Sequence, residues 1–425
     1  MKKHAILFLL ILSFAGFAQR GNIWYFGLNA GLDFNSGSPV AIFDGQMSHG
    51  EGCAVLCDTL GNLMLYTDGM NVWNKNHNLM PNGNATMNGD NSSSQSAIII
   101  QKPGNYDHYY IFTAPLYSDN VNGLEYNLVD MTLDGGNGDI SSLNNSLANP
   151  VCEKVTAIKH NNGTDYWVVA HEQGTNAFYA YEVTAAGVNT TLVVSNIGYA
   201  VWPLYDFKGQ LGYLKASLDG SKLVAAYQSK SIFEIYDFNT STGVVSNVKT
   251  IDVSSPVLYY PYGIEFSPDG NLLYVSSRYI NICAQYNLNA GSGSATDIKN
   301  SEYIVLNSSR GGGFASGALQ LAPDNKIYYT INNRDSLSVI NSPNGLGAAC
   351  NFVENAVFLG TGYTAQEGLP NFIPSEVAIT NLSVGIAGTD PGCNDVCDGQ
   401  AQANPYGGKA PYEYNWNNGD TTQTI

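Results

Sequence analysis

The sequence predicts an all-β protein built on a seven-bladed β-propeller. Short runs of β-branched and aromatic residues fill the chain, as is typical of strands. Glycine-containing turns recur between paired runs at a nearly constant spacing. Charged residues make up only 12% of the chain against the usual ~25%. Apolar residues make up 44%, which excludes a disordered chain.

Residues 1–18 are predicted to be a secretory signal peptide. Lys2 and Lys3 precede an apolar run from Ala5 to Phe17, and Gly16-Phe17-Ala18 supplies small residues for cleavage before Gln19. The apolar run is shorter than the ~20 residues that span a bilayer, which disfavours a membrane anchor. The residue directly after the cleavage point is Gln19 rather than cysteine, which disfavours a lipoprotein anchor. We therefore expect a protein without a transmembrane segment, secreted to the cell surface across the outer membrane.

Strand–turn–strand units recur through residues 19–374, the predicted propeller. Their turn residues are Gly61, Gly104, Gly163, Gly220, Gly270 and Asn325, separated by 43, 59, 57, 50 and 55 residues. A period near fifty with paired strands is typical of a propeller, whose four-stranded blades must stack to bury their faces. In Ser267-Pro-Asp-Gly270, proline presets φ, aspartate bonds back to the backbone and glycine takes a positive φ. In one unit the second hairpin is visible as Phe233–Phe238, a turn to Gly243, and a strand from Val244.

Two stretches remain outside these six units. One covers residues 23–43 and the other residues 356–373. Because a propeller closes by joining its ends in one blade, both stretches are expected to complete a seventh blade. Six or eight blades remain alternatives.

The charge of the chain excludes some partners. Removal of Lys2 and Lys3 with the signal peptide changes the formal charge from −17 to −19. Nucleic acid and anionic membranes bind basic surfaces, so neither is expected as a partner.

The seven cysteines do not suggest a metal site. Cys53 and Cys57 lie four residues apart in one predicted strand, roughly 13 Å apart, too far for a disulfide. We expect both to be buried thiols. Cys393 and Cys397 lie in a turn-rich segment and are candidates to bond to each other, although their disulfide state is left open. The double C-x-x-C spacing of a zinc site is absent from the sequence.

Catalytic motifs are sparse. His49-Gly-Glu51 and His171-Glu172 each place a histidine beside a carboxylate, as a general base or metal site requires. Neither has H-E-x-x-H spacing or an evident third ligand, so loop or strand-edge residues are the favoured interpretation. The turns lack the tryptophan of sialidase repeats, and Gly311–Gly313 lacks the strand-to-helix context of a phosphate loop. No catalytic or cofactor-binding residue is therefore predicted.

Two further patterns suggest ligands. Asp134, Asn137 and Asp139 offer oxygen atoms in a tight loop, which makes them a calcium candidate, although the bidentate glutamate of an EF-hand is missing. The aromatic stretches 201–205 and 258–262 offer rings that stack on sugars or anchor a protein, with blade packing as the more frequent explanation.

The last part of the chain, residues 375–425, carries a long aromatic motif. Gly407-Gly408 makes a turn, and Tyr412, Tyr414 and Trp416 alternate on one face of a strand before Asn417–Asp420 turns again. This string resembles the SprB-type repeat of cell-surface adhesins from gliding bacteria. It stops part-way, which suggests the front of a longer protein with a truncated β-sandwich. The blade turns are similar to those of WD40 and YVTN propellers.

This resemblance, extended by Trp24–Gly27, Gly31–Phe34, Leu65–Gly69 and Gly368–Ile373, implies a surface protein sent through the type IX secretion system. We therefore expect a non-catalytic adhesion protein for attachment or gliding motility, with extracellular polysaccharide or protein as its partner. The alternative is a secreted propeller enzyme, a polysaccharide hydrolase or lyase, with the repeat as spacer. That alternative is favoured if His49, Glu51, His171 and Glu172 converge on the axis around a metal. A structural spacer is a third class, and the oligomeric state is left open.

Overall fold

The fold is a ring of seven antiparallel sheets in a computed structural model. The structure describes residues 19–119, 121–201, 207–254, 260–308, 316–377, 383–389, 400–406, 414–416 and 420–424. Within these ranges each propeller sheet is one blade whose consecutive strands pair as a meander. The prediction of an all-β, seven-bladed propeller is confirmed.

The first three blades contain the strands β1 Ile23–Phe26, β2 Ala30–Asp33 and β3 Val40–Ile42; β4 Ala54–Cys57, β5 Leu63–Thr67 and β6 Val72–Asn74; and β7 Ala97–Gln101, β8 His108–Thr113, β9 Leu124–Asp130 and β10 Asp139–Ala148.

Blades four and five contain the strands β11 Val151–Lys159, β12 Tyr166–Glu172, β13 Ala177–Thr184, β14 Gly187–Val188 and β15 Val193–Asn196; and β16 Leu214–Ala216, β17 Lys222–Tyr227, β18 Ile232–Phe238 and β19 Val245–Asp252.

Blades six and seven contain the strands β20 Pro261–Phe266, β21 Leu272–Ser277, β22 Asn281–Asn287 and β23 Tyr303–Ser308; and β24 Ser316–Leu321, β25 Ile327–Ile331, β26 Ser336–Ile340 and β27 Phe352–Phe358. Helix α1, Ala295–Asn300, lies between β22 and β23. Single 3₁₀ turns cover Asp134–Gly136, Phe207–Gln210, Gln228–Lys230, Gly347–Cys350 and Pro374–Glu376.

The predicted turn residues all lie in the first hairpin of a blade. Each has a positive φ: 84° at Gly61, 69° at Gly104, 77° at Gly163, 72° at Gly220, 71° at Gly270 and 60° at Asn325. In the sixth blade Ser267 Oγ donates to Asp269 at 2.6 Å, and the Gly270 amide donates to the Ser267 carbonyl at 2.9 Å. The Asn271 amide donates to Asp269 Oδ1 at 3.1 Å, so the predicted roles of the aspartate and the glycine are confirmed.

The ring closes through the segment 364–373, which we call the closing segment. Thr364 accepts from the Leu28 amide at 2.9 Å, and the Asn371 amide donates to Cys53 at 2.8 Å. This segment lies against both the first blade and the seventh, since the Ala318 amide donates to the Glu367 carbonyl at 2.8 Å. Residues 356–358, which were expected in the closing blade, belong instead to β27 of blade seven.

The first strands of successive blades contact one another around the axis. Glycines permit their close approach near one end of these strands. A Cβ at Gly368 would lie 1.5 Å from the Glu51 carbonyl oxygen, and one at Gly317 would lie 2.3 Å from that of Glu367. These distances are far below van der Waals contact, so the closure requires glycine at both positions.

Aromatic side chains fill the space between blades. Trp24 of the first blade is fully buried and contacts Tyr328 of the seventh, with ring centroids 5.6 Å apart, and Phe372 of the closing segment at 6.0 Å. Cys53 and Cys57 are buried free thiols, as predicted.

Beyond the propeller, β28, Ser383–Thr389, pairs with β29, Gln400–Tyr406, in an antiparallel sheet. The Trp416 indole donates to the Thr422 carbonyl at 2.7 Å. Cys393, Cys397 and Gly407 to Tyr412 of the repeat motif lie outside the described residues. Within the described ranges, no helix combines the length and apolarity that a bilayer crossing requires.

Candidate functional site

Charged side chains gather where the first strands of the blades begin. Glu51 precedes the first strand of blade two, Glu367 lies on the closing segment, and Arg278 follows β21. We call these three residues, with Glu153 near the start of β11, the axial cluster. It is a concentration of buried charge in a chain with only 12% charged residues.

Arg278 joins two of the carboxylates. Its Nη2 lies 2.6 Å from Glu51 Oε1, and its Nε lies 2.7 Å from Glu367 Oε2. The side chains of Arg278 and Glu367 are each 13% exposed, whereas that of Glu51 is 5% exposed. The cluster therefore reaches solvent at the arginine and at Glu367.

Neighbouring groups hold this arrangement in place. Tyr262 donates to Glu51 Oε2 at 2.7 Å, and Ser92 donates to Glu51 Oε1 at 3.1 Å. The Arg278 guanidinium lies 5.0 Å from the centre of the Tyr262 ring, within cation–π range. Glu51 is thus an anchor for Arg278, leaving Glu367 as the more accessible carboxylate.

Glu153 is the third carboxylate and is fully buried. Its oxygens accept hydrogen bonds from the Ser94 amide at 2.9 Å, the Ser94 hydroxyl at 2.9 Å and the Tyr117 amide at 3.0 Å. Burial, followed by the negative charge of Glu51, raises the pKa of Glu153 to about 8. Glu153 is therefore largely protonated at neutral pH.

The carboxylates next to Arg278 also have perturbed pKa values. Burial raises the pKa of Glu51, while the positive charge of Arg278 lowers it by a smaller amount. Burial raises the pKa of Glu367 to about 7, with Arg278 lowering it and Glu51 raising it. A carboxylate that titrates near neutral pH beside a fixed positive charge is suited to general acid–base catalysis.

The side-chain amides of Asn371 and Gln95 link the inner strands of several blades near the cluster. Asn371 Nδ2 donates to the Val155 carbonyl at 3.0 Å and to the Ala97 carbonyl at 3.3 Å. Gln95 accepts from the Leu214 amide at 2.7 Å through its side-chain oxygen. The bonds of Asn371 join the closing segment to the first strands of blades three and four. The bond of Gln95, which precedes β7, joins blade three to the first strand of blade five.

The histidines predicted as alternatives do not join the cluster. His49 is buried, which lowers its pKa. His171 is buried between blades four and five against Phe178, at a ring distance of 4.7 Å, and burial lowers its pKa to about 3. Glu172 accepts from Thr175 at 2.6 Å. Of the four residues expected to converge if the chain were an enzyme, only Glu51 lies in the cluster.

Metal ligands do not gather around it either. Among the residues that the structure describes, no three His, Cys, Asp or Glu side chains form a group that could hold a metal ion.

The calcium candidates lie apart from the axial cluster: Asp134 and Asn137 belong to the turn before β10, and Asp139 is the first residue of that strand. Asp139 accepts from Asn82 through both carboxylate oxygens, at 2.8 and 2.7 Å. The Asn137 oxygen accepts from Asn76 at 2.8 Å, while Asp134 begins the turn. Calcium binding would have to replace these hydrogen bonds, and it stays a prediction.

The sequence reasoning missed Arg278, Glu153 and Glu367. A signal was present for one of them, because the dipeptide Glu-Gly occurs both at Glu51-Gly52 and at Glu367-Gly368. Gly52 precedes β4 and Gly368 lies in the closing segment, and at both positions the absence of a Cβ permits close approach of the neighbouring backbone. Gly311–Gly313 and residues 202–205 and 258–259 of the aromatic stretches lie outside the described residues.

Comparison with known proteins agrees with the propeller fold. A propeller from Bacteroides fragilis, provisionally described as a 6-phosphogluconolactonase, is 10% identical, with a TM-score of 0.51, over 82% of this chain and 96% of its own. The periplasmic gluconolactonase of Pseudomonas aeruginosa is 12% identical, with a TM-score of 0.47, over 81% and 99%. A protein from Lactobacillus plantarum is 15% identical, with a TM-score of 0.48, over 83% and 99%. At 10% identity, the likeness to the Bacteroides fragilis protein shows a shared fold alone.

Searches by sequence gave no relative. No family model matches the chain. No curated protein matches it either. The resemblance to a SprB-type repeat therefore gains no support from these comparisons.

The expectation of a non-catalytic adhesion protein is wrong. The Bacteroides fragilis neighbour is described by a lactonase activity, and the axial cluster of this chain holds a buried carboxylate with a raised pKa beside an arginine. The findings favour the alternative, an enzymatic propeller. The prediction failed because it relied on the C-terminal motif and considered glutamates only where a histidine lies beside them in the sequence, as at Glu51 and Glu172.

Proposed function

We propose that this chain is a hydrolase of sugar-derived substrates, acting at the axial cluster, and that a sugar lactone is the substrate class to test first. The observation that carries the proposal is Arg278 held between Glu51 and Glu367 where the cluster reaches solvent. The activity named for the Bacteroides fragilis propeller suggests the lactone. The fold by itself specifies no reaction.

Lactone hydrolysis needs a base for water and a positive group for the developing oxyanion. Ionised Glu367 removes a proton from water, whose oxygen forms a bond to the lactone carbonyl carbon. The Arg278 guanidinium stabilises the negative carbonyl oxygen. The carbonyl then re-forms as the ring C–O bond breaks, and protonated Glu367 returns its proton to the leaving oxygen. The product is an open-chain hydroxy acid, and the enzyme is regenerated.

Glycosidic bond hydrolysis is a second candidate and uses the same residues. Glycosidases need two carboxyl groups in different protonation states on either side of the scissile bond. Glu51 and Glu367 contact different nitrogens of one guanidinium, and burial raises the pKa of both. This pair supports the polysaccharide hydrolase or lyase alternative.

The test is hydrolysis of a panel of sugar lactones and aryl glycosides by the purified protein. We expect Glu367→Gln to lower kcat/KM by about 10²–10⁴-fold, the usual contribution of a general base. Glu354→Gln removes an exposed carboxylate away from the cluster and is the matched control. Wild-type rates equal to the uncatalysed rates for every substrate would overturn the proposal.

The pH profile gives an independent readout. Because Glu367 must be ionised to act as the base, kcat/KM for a lactone is expected to rise with pH around a midpoint of about 7. A profile that is flat from pH 5 to pH 8 would remove Glu367 from this role.

We also propose that the protein is exported after cleavage before Gln19, and that residues 375–425 begin a SprB-type repeat. The leader pattern supports the first, and the aromatic motif supports the second. Peptide mass spectrometry of the native protein tests both. A mature N-terminus at Gln19 supports export, and an intact Met1 contradicts it. Peptides with further repeats beyond Ile425 support the repeat.

A further inference from the structure

Two exposed tyrosines flank the arginine of the axial cluster. Tyr279 is 49% exposed and follows Arg278 directly, while Tyr260 is 38% exposed and precedes β20. Their ring centroids lie 5.1 Å apart at an interplanar angle of 83°. We call this pair the tyrosine platform. It contrasts with the other large aromatics near the axis, Tyr213 and Tyr262, which are buried.

The backbone fixes the platform to the cluster. The Arg278 amide donates to the Tyr260 carbonyl at 3.0 Å, so the two tyrosines are carried by adjoining positions of paired strands. Tyr262, two residues after Tyr260, donates to Glu51. The platform therefore adjoins the cluster through both strands.

Tyr260 is also held in an unusual conformation. Its φ is +59°, in the left-handed region that bulky residues rarely adopt. Such a strained conformation persists where the surrounding structure enforces it, often at ligand sites. The chain thus keeps a large, exposed ring at this position against the backbone preference.

We propose that Tyr279 and Tyr260 form a subsite that stacks a sugar ring next to the unit bound at Arg278, so that the substrate contains at least two sugar units. This inference rests on the proposed function, because it extends the same site. Tyrosine presents an apolar face and a polar hydroxyl, which together suit the C–H face and hydroxyl rim of a pyranose. A free monosaccharide lactone would occupy the cluster and leave the platform uncovered.

Binding tests the platform without requiring turnover. Isothermal titration calorimetry would measure tetrasaccharides of glucose, xylose and N-acetylglucosamine, each beside its monosaccharide. We expect at least one tetrasaccharide to bind more tightly than its monosaccharide. Tyr279→Ala is expected to weaken that binding about tenfold, and Tyr279→Phe, which keeps the ring, less than about threefold. Tyr106→Ala removes a tyrosine that is 79% exposed in the β7–β8 turn and is the matched control.

The outcomes separate this inference from the proposed function. Tetrasaccharide binding that depends on Tyr279, without turnover of any lactone or glycoside, keeps the platform and overturns the hydrolase. Turnover with equal affinity in Tyr279→Ala and wild type keeps the hydrolase and overturns the platform. If none of the three tetrasaccharides binds at millimolar concentration, the tyrosine platform is also overturned. Melting temperatures of the variants confirm that each is folded.

Discussion

Arg278→Met tests whether the axial cluster is an electrostatic unit. The variant replaces the guanidinium with an apolar side chain and leaves Glu51 and Glu367 without their positive partner at 2.6 and 2.7 Å. Removing one member of a buried ion pair costs about 3–5 kcal/mol while the other member stays charged. For a propeller of roughly 350 residues, this corresponds to a melting temperature about 4–7 °C lower.

The loss is expected to depend on pH. In the unfolded chain both carboxyl groups have the ordinary glutamate pKa of 4.5, and in the folded protein burial raises the pKa of both. Arg278 lowers both values, so its removal raises them further. The folded variant then holds protons that the unfolded chain releases above pH 4.5, and its stability falls as pH rises through 7. At pH 5 protonation of the carboxyls in the folded variant lowers the cost of leaving them without a cation, and the expected loss is only about 1–2 kcal/mol.

Thermal unfolding at pH 5, 6, 7 and 8 would measure this difference between wild type and variant. Lys222→Met is the control, because Lys222 and Asp237 form a pair with side chains 40% and 45% exposed. Such a pair contributes about 0–1 kcal/mol, so we expect little change at any pH. An equal loss for Arg278→Met at pH 5 and pH 8 would refute the claim that the carboxyls take up protons.

Three other predictions concern stability. Glu376→Gln removes the ion pair with Arg20 at 3.6 Å, whose side chains are 10% and 9% exposed, and chemical denaturation should show a loss of about 3–5 kcal/mol with hydrolysis unchanged. Lost hydrolysis in the folded variant would contradict this separation. Gly368→Ala places a Cβ 1.5 Å from a backbone oxygen and should cost more than about 4 kcal/mol, whereas Gly270→Ala, with open space around it, should cost about 1–2. Equal effects would show that closure tolerates a side chain. If Asp134 and its neighbours bind calcium, the melting temperature should be higher with millimolar calcium than with chelator, and no shift would contradict the site.

The repeat could be predicted because its signal is local. Each first hairpin needs a residue with positive φ, and a glycine or asparagine supplies it once per blade, as at Gly220 and Gly270. Blade number and ring closure then follow from spacing. The assignment of residues 356–358 to the closing blade was wrong, since a short apolar run does not show which of two neighbouring sheets it joins.

The axial cluster could not be predicted in the same way. Arg278 and Glu51 are 227 residues apart, and neither belongs to a motif with a fixed local spacing. Their contact exists because the ring brings the second and sixth blades to one axis. Sequence reasoning examined histidines beside carboxylates, a local pattern, whereas the structure pairs glutamates with an arginine across the ring.

The closing segment makes the site dependent on ring closure. The Glu367 amide donates a hydrogen bond to the Gly50 carbonyl at 2.9 Å, and its carbonyl accepts one from the Ala318 amide at 2.8 Å. The backbone bonds that close the ring therefore also fix the carboxylate next to Arg278. Asn371, four residues on, joins the same segment to blades three and four. An open ring would therefore lose the Glu367–Arg278 ion pair together with the backbone hydrogen bonds of the closing segment. In this propeller the closing segment positions the proposed base, so the buried charge at the axis lies next to Gly317 and Gly368, where any side chain would clash with neighbouring backbone.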